Sequence, residues 1–376
     1  MIAALFFLLT LISWCYWAFA WWCVRAFFCR PYQKKADFTP PVSLLKPVKG
    51  LDPQAYENFL SFAQQDYPEY EILFGVLDAD DPAVPLIERL RREFSNLNIR
   101  LLVAPPLGSN HKVSILHLLA NQASYEVLVI SDSDMRITPD YLRRVVAPLA
   151  DPQTGLVTCL YKGAEAENLT ARLEGLYIGV TYLPSILVGR RYLSMRFALG
   201  ATIALRRSHL MALGGFPALA DYLADDYELG ARIGSLGWKI HLSSYVILDM
   251  LGAPSLRELW HRQVRWARCI RVSRGPEYLG LIITFSTPLA LATAITSSLD
   301  SWGLLTVATS LVLRWGLSWL VSGYTDDRES QRSLLWLPLS DILTFLVWCG
   351  GGVGRKVVWR DEAFELTSGG RMRIPA

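Results

Sequence analysis

The chain has 376 residues, of which 52% are hydrophobic and 19% charged, with a formal net charge of +3. That is too apolar and too charge-poor for an ordinary soluble enzyme, although the middle of the chain is well charged. The charge is spread out with no basic block, so a nucleic-acid partner is excluded.

No residue from Met1 to Val24 is charged. Such a run crosses a hydrocarbon core of about 30 Å at about 1.5 Å per residue. It is too long for a signal peptide and lacks a small-residue cleavage site, so residues 1–28 read as a retained transmembrane anchor. Arg25, Arg30, Lys34 and Lys35 follow it and nothing basic precedes it. The positive-inside rule therefore predicts an outside amino terminus and a cytoplasmic domain after the anchor. The six cysteines, at 15, 23, 29, 159, 269 and 349, show no zinc-type spacing and read as reduced packing residues.

Residues 40–275 read as one domain, whose first part, to about residue 160, alternates strand and helix. Strands are expected at 42–46, 71–77, 99–103 and 127–130, with helices at about 53–66 and 83–94, a loop at 110–112 leading into a helix that ends at about 123, and a further helix starting near Pro139. This alternation predicts a mostly parallel sheet with helices on both faces, which binds ligands at the carboxyl ends of its strands. Lys46, Asp78, Asp80, Asp81, Lys112, Asp132 and Asp134 all fall at such ends. Asp132-Ser133-Asp134 sets two carboxylates where a divalent cation can be held against a diphosphate.

Another strand is expected at 155–160, then one helix over 170–193 that is either core or interfacial, and a strand at 197–205. After the Gly214-Gly215 turn, Asp225 and Asp226 open a helix, where the helix dipole favours carboxylates. They serve as caps or present a catalytic base. In the helix 255–271, Arg262, Arg265 and Trp266 share an arc separate from the apolar face. A basic membrane-surface helix gives a similar wheel, whereas arginines beside an indole also suit a pyrophosphate leaving group and a sugar face.

Three hydrophobic segments follow, at about 279–299, 302–323 and 334–354. Arg314 and Asp341, both expensive in lipid, fall at similar depths if the last two segments form a hairpin, which predicts that they pair. Four full spans would put the basic tail, 355–376, outside. A tail inside is expected instead, with one segment of 279–354 interfacial or re-entrant. The tail reads as a short hairpin.

The motifs Ser43-Leu-Leu-Lys-Pro-Val-Lys-Gly50, Asp78-Ala-Asp-Asp-Pro-Ala83, Asn110-His-Lys112, Asp132-Ser133, Gly200-Ala-Thr202, Gly214-Gly215, Asp225-Asp226-Tyr227 and Arg262-Gln-Val-Arg-Trp266 occur in that order. In this the chain resembles the ceramide glucosyltransferase family of membrane-bound inverting GT-A glycosyltransferases. Its Ala-Asp-Asp-Tyr-Glu-Leu-Gly and Arg-Trp-Ala-Arg sequences look closer to a bacterial branch that glycosylates hopanoid polyols with N-acetylglucosamine, which implies a bacterial inner membrane.

The resemblance implies a UDP-sugar donor (glucose or N-acetylglucosamine) and a lipid hydroxyl acceptor such as ceramide. It implies uridine contacts from Asp78, Asp80 or Asp81, with Lys46 and Lys112 near the nucleotide. Asp132 would meet the sugar or ribose, and Asp134 would coordinate Mg²⁺ or Mn²⁺. Asp226 would be the general base, and Arg262, Arg265 and Trp266 would stabilise departing UDP. Animal ceramide enzymes need not keep an acid at the Asp134 position. A processive polysaccharide synthase shares these acids but needs more spans for a channel, and an inactive lipid-binding scaffold has no use for the full set.

Overall fold

The computed structural model describes residues 1–29, 38–193, 195–359, 362–367 and 369–373. Arg30, Lys34 and Lys35 of the positive-inside argument lie outside the described residues.

Eight strands form the main sheet: β1 (Val42–Pro47), β2 (Tyr70–Val76), β3 (Asn98–Val103), β4 (Val127–Ile130), β5 (Met135–Arg136), β6 (Thr154–Ala166), β7 (Ile203–Arg206) and β8 (Lys239–Gly252). Their order is β3-β2-β1-β4-β7-β6-β8-β5. β3, β2, β1 and β4 pair in parallel, as do β6 and β8, while β7 runs antiparallel to both neighbours. The continuous apolar runs follow from burial on both faces. Leu44, Ile72, Phe74 and Val129 point into one core with Phe59 and Ile87. Their strand neighbours Leu45, Leu73, Leu128 and Ile130 point into the other with Leu116 and Leu119.

Three elements differ from the expected pattern. β8 is a full strand absent from the expected pattern: Ile240 and Leu242 alternate with His241 and Ser243, the alternation is lost at Ser244 where the register with β6 shifts, and the strand carries the short β5 at the sheet edge. The helix expected over 170–193 is divided into Leu169–Tyr177, a π-turn Ile178–Tyr182, and Leu183–Leu193. At that turn Gly179 is pressed against Asp327 and Ser330, where a Cβ would clash. Finally, only Ile203–Arg206 of the expected 197–205 strand is extended in the sheet. Before it, Leu199 turns aside, its N–H donating to Thr158 Oγ1 at 2.9 Å and its carbonyl accepting from the same hydroxyl at 3.0 Å.

Helices Ile2–Phe28, Ser301–Tyr324 and Arg328–Gly352 are long and apolar enough to cross a membrane. The 279–299 segment is not one straight span: Glu277–Thr284 and Ser286–Thr296 meet at a 74° bend. Ser286–Thr296 and Ser301–Tyr324 both lie along the amino-terminal helix. Trp17 Nε1 donates to Thr284 O at 3.0 Å, and Trp14 Nε1 to Ser310 Oγ at 3.2 Å. Both ends of Arg328–Gly352 instead touch the sheet-containing part. Ala166 N donates to Glu329 Oε1 at 2.6 Å at its start, and Arg268 donates to Val353 O at 3.2 Å just beyond its end.

Arg314 and Asp341 pair at 3.2 Å, as their depths suggested. The setting is not a simple two-helix hairpin. Arg314 also donates to Val180 O at 3.1 Å and Ser318 Oγ at 2.8 Å, and Thr287 Oγ1 donates to Asp341 Oδ2 at 2.7 Å. The tail is larger than the expected hairpin: β9 (Lys356–Trp359), β10 (Glu362–Leu366) and β11 (Met372–Arg373) make an antiparallel three-stranded sheet. All six cysteines are free thiols; Cys23 and Cys159 are buried, whereas Cys15, Cys29 and Cys349 are exposed.

Candidate active site

The carboxyl ends of β1, β2 and β4 converge, and their polar residues divide into those that build the site and those that face it. Lys46, the largest charged side chain buried completely, lies on β1. Its ammonium donates to the main-chain carbonyl of Asp132 and sits 3.7 Å from the centre of the Phe62 ring. Burial pulls its pKa down to about 7 against the pull of Asp134, Asp132 and Asp52. Ser133 donates to Asp52, a second tie on the same turn. Lys46 thus holds the Asp132–Asp134 turn from beneath.

The acids after β2 also separate. Asp81 is buried, one oxygen accepting from Gly50 N and the other from Ala83 N, each at 2.9 Å. It fixes the β1 loop to the β2 loop. Asp78 and Asp80 are exposed, and Asp78 Oδ1 accepts from Asp80 N at 3.0 Å.

Lys112 and Asp132 form an ion pair at 2.6 Å. Burial opposes the lysine charge, but Asp132, Asp225 and Asp226 outweigh it and hold its pKa above the usual range. Asn110 organises this corner. Its Oδ1 caps the helix His111–Gln122 through Val113 N at 3.0 Å. Its Nδ2 donates to Tyr222 O at 2.7 Å and to Asp225 Oδ1 at 3.4 Å.

Asp226 lies in the first turn of the helix Asp225–Ser235. Burial pushes its pKa up to about 6, with Asp225 adding to the rise and Lys112 opposing it. Asp225 is raised too, again chiefly by burial. Two glycines let this carboxylate come close. A Cβ at Gly200 would stand 3.1 Å from Asp226 Oδ2 and 3.5 Å from Asp132 Oδ2, so both acids face the same backbone. A Cβ at Gly230 would drive into the backbone of Phe197 and Ala198, on which the helix is seated.

Two acids that sequence reasoning missed complete the site. Asp249, on β8, is paired in register with Met135, beside Asp134. Burial raises its pKa well above the carboxylate range, and the charge of Asp134 adds to this. Glu174, 1% exposed, accepts from Arg262 Nε at 2.8 Å and also from a terminal nitrogen of that guanidinium. No local motif marks either: strand pairing brings in the first and helix packing the second. Arg262 is thus in the site, anchored from behind. Arg265 lies 5.5 Å over the Trp359 ring of the tail sheet, and Trp266 is half-buried on the same helix, Leu256–Arg274.

Among the described residues, no group of three or more His, Cys, Asp or Glu side chains is arranged to hold a metal by itself. Hard carboxylate oxygens at Asp134 and Asp249, crowded by each other's charge, nevertheless fit a Mg²⁺-like ion. Such an ion takes one or two carboxylates and completes its shell with substrate phosphates and water.

A fold of this kind is known. A mannosyltransferase from Pyrobaculum calidifontis, solved with GDP-mannose and Mn²⁺, superposes with a TM-score of 0.54 at 19% identity, covering 92% of this chain and 98% of that one. The architecture is therefore GT-A, flanked by helices able to span a membrane. Ceramide glucosyltransferase 3 of Caenorhabditis elegans is 26% identical over 360 residues, covering 91% of this chain and 76% of that protein. Ceramide glucosyltransferase 1 of the same organism is 24% identical over 349 residues, covering 89% and 73%. The model of glycosyl transferase family 21 matches residues 5–372. The chain belongs to that family, and it is a glycosyltransferase.

Proposed function

We propose that this enzyme transfers a hexose, glucose or N-acetylglucosamine, from a UDP-sugar to a hydroxyl of a membrane lipid such as ceramide, with inversion at the anomeric carbon. The observation that carries the reading is Asp226. It is a carboxylate tuned by burial to about 6, facing Asp132 across Gly200, in a domain joined to membrane-competent helices.

Asp78 and Asp80, open to solvent at the end of β2, bind uridine, and Asp81 positions their loop. Asp132, fixed by Lys112, meets the sugar and ribose side. Asp134 holds the divalent cation, with Asp249 facing it. When bound, Mg²⁺ or Mn²⁺ neutralises charge on the diphosphate. Asp226 takes the proton of the acceptor hydroxyl as its oxygen bonds to the anomeric carbon and the bond from that carbon to the UDP oxygen breaks. Arg262, held by Glu174, and Arg265 stabilise the negative charge of departing UDP, and Trp266 shapes the acceptor end. One displacement needs no enzyme nucleophile.

The lipid acceptor explains the membrane helices beside the site. With the amino terminus outside, Ile2–Phe28 leads in and the bent segment leads out. Ser301–Tyr324 returns, and Arg328–Gly352, both of whose ends touch the domain, is tucked beside it at the depth of Arg314 without crossing, leaving the tail on the cytoplasmic side. The test is a transfer assay with purified protein, a panel of UDP-sugars, and ceramide against a hopanoid polyol, read by mass spectrometry. A glycolipid with one of these acceptors supports the reading; UDP-sugar turnover that is independent of any lipid removes it.

A further inference from the structure

The tail sheet meets the site from outside on loop after loop. At the start of β10, Glu362 accepts from Lys49 Nζ at 3.2 Å and lies 3.5 Å from His111 Nδ1. Lys49 is in the β1 loop that Asp81 anchors through Gly50, and His111 opens the helix that carries Lys112. At the other edge, Leu223 N donates to Gly370 O at 3.1 Å and Met372 N to Asp221 O at 2.7 Å. Arg371 Nε donates to the Tyr222 hydroxyl at 3.1 Å. The 221–223 stretch runs directly into Asp225 and Asp226. Behind the sheet, Arg265 covers Trp359, and Arg268 donates to Lys356 O.

The strengths of these contacts are unequal. Leu223 is buried with Val357, Phe364, Leu366 and Met372, an apolar attachment that fixes the sheet beside the Asp226 helix. The contact across to the β1 loop is polar instead, and its partners are 39% and 43% exposed. A pair this exposed is weak, so it opens and closes easily while the apolar edge stays seated.

We propose that the tail sheet is the outer wall of the sugar-nucleotide site, and that Glu362 is a positioning residue that latches the β1 loop and the His111 helix start onto it around bound donor. The proposal rests on the reading of these loops as the UDP-sugar site. Hydrogen exchange of the full-length protein in lipid nanodiscs, with and without UDP and Mn²⁺, tests it alongside steady-state kinetics. UDP is expected to slow exchange across 356–366. Glu362→Gln is expected to raise the donor KM about five-fold, the worth of one part-exposed ion pair, with the acceptor KM unchanged and Glu362→Asp recovering much of the loss. A merely structural residue would instead lower kcat or thermal stability and move both KM values together, and that result overturns the proposal. So does calorimetric UDP binding by the wild type with no change in tail exchange. Failure of the wild type to bind UDP at all counts against the donor reading itself.

Discussion

Glu174 and Arg262 stand 88 residues apart and on different helices, yet they form a two-pronged ion pair whose acid is almost wholly buried. The pair turns an exposed-looking arginine motif into a fixed fork. Burial opposes the Arg262 charge, but Glu174, Asp249 and Asp134 outweigh it, so the fork stays cationic toward the site. Removing one member strands the other. Arg262→Ala is expected to cost about 2–3 kcal/mol in stability, discounted from the fully buried case because the arginine is 34% exposed. The double variant Glu174→Gln, Arg262→Gln should melt above Arg262→Ala, since it leaves no buried charge. Melting curves in detergent decide this, and an Arg262→Ala protein as stable as the wild type would refute the pairing as a structural element.

Gly230 and Gly234 occupy one helix and give opposite expectations. A methyl group at Gly230 has no room against Phe197 and Ala198, whereas one at Gly234 meets nothing closer than 4.0 Å. Gly230→Ala should destabilise by about 1–3 kcal/mol and displace Asp226, lowering kcat more than it changes the donor KM. Gly234→Ala should be neutral or stabilising by up to about 1 kcal/mol from helix propensity. Equal behaviour of the two variants would show that the helix seating does not matter.

Much of this was legible in the sequence where one residue type does one job over a short stretch. The apolar run 127–130 followed by Asp132 and Asp134 marks a buried strand and its functional end. What was hidden depends on long-range packing. The resemblance sets Lys46 near the nucleotide, and its complete burial and its bond to the Asp132 carbonyl, which only packing reveals, add a part in supporting that turn. The acids at 78, 80 and 81 are equivalent as letters, and only the backbone N–H groups on both Asp81 oxygens set it apart. Asp249 was out of sight because it is a lone acid inside an apolar stretch, and only the pairing of its strand with β5 brings it beside Asp134.

As the proposed general base, Asp226 should set a pH dependence whose sign follows from that role. A base must be ionised, and with a pKa of about 6 it is about one-tenth ionised at pH 5 and nine-tenths at pH 7. The rate should therefore rise about ten-fold per unit below pH 6 and level off above pH 7. Asp225 contributes to the rise in pKa, so Asp225→Asn should move the acid limb to lower pH. Asp226→Asn should abolish transfer while UDP-sugar binding by calorimetry stays near the wild-type value. A retained acid limb in an active Asp226→Asn protein would assign the base elsewhere.

The cation role proposed for Asp134 separates from catalysis in a binding experiment. UDP affinity, measured by calorimetry with and without Mn²⁺, should show metal enhancement in the wild type that is lost in Asp134→Ala. Asp249→Asn should weaken the enhancement rather than erase it, because Asp249 only faces the ion. Undiminished activity of the wild type in excess chelator would remove the metal from the reaction.

Arg314 and Asp341 are both buried within the membrane-competent helices, at 2% and 7% side-chain exposure. Leaving either charge without the other is costly where no water can solvate it. The single changes Arg314→Gln and Asp341→Asn should each lower the melting temperature, and the double variant should fall short of their sum by about 1–3 kcal/mol of coupling. The geometry also ranks the charge-swapped protein. An aspartate at 314 would face the Val180 carbonyl, acceptor against acceptor, where the arginine now donates at 3.1 Å. It would also lose the cation that now sits 3.9 Å from the Trp17 ring. The swap should therefore rescue less than the neutral double variant does. Additive single effects, or a swapped protein as stable as the wild type, would show that the pair acts without its surrounding acceptors.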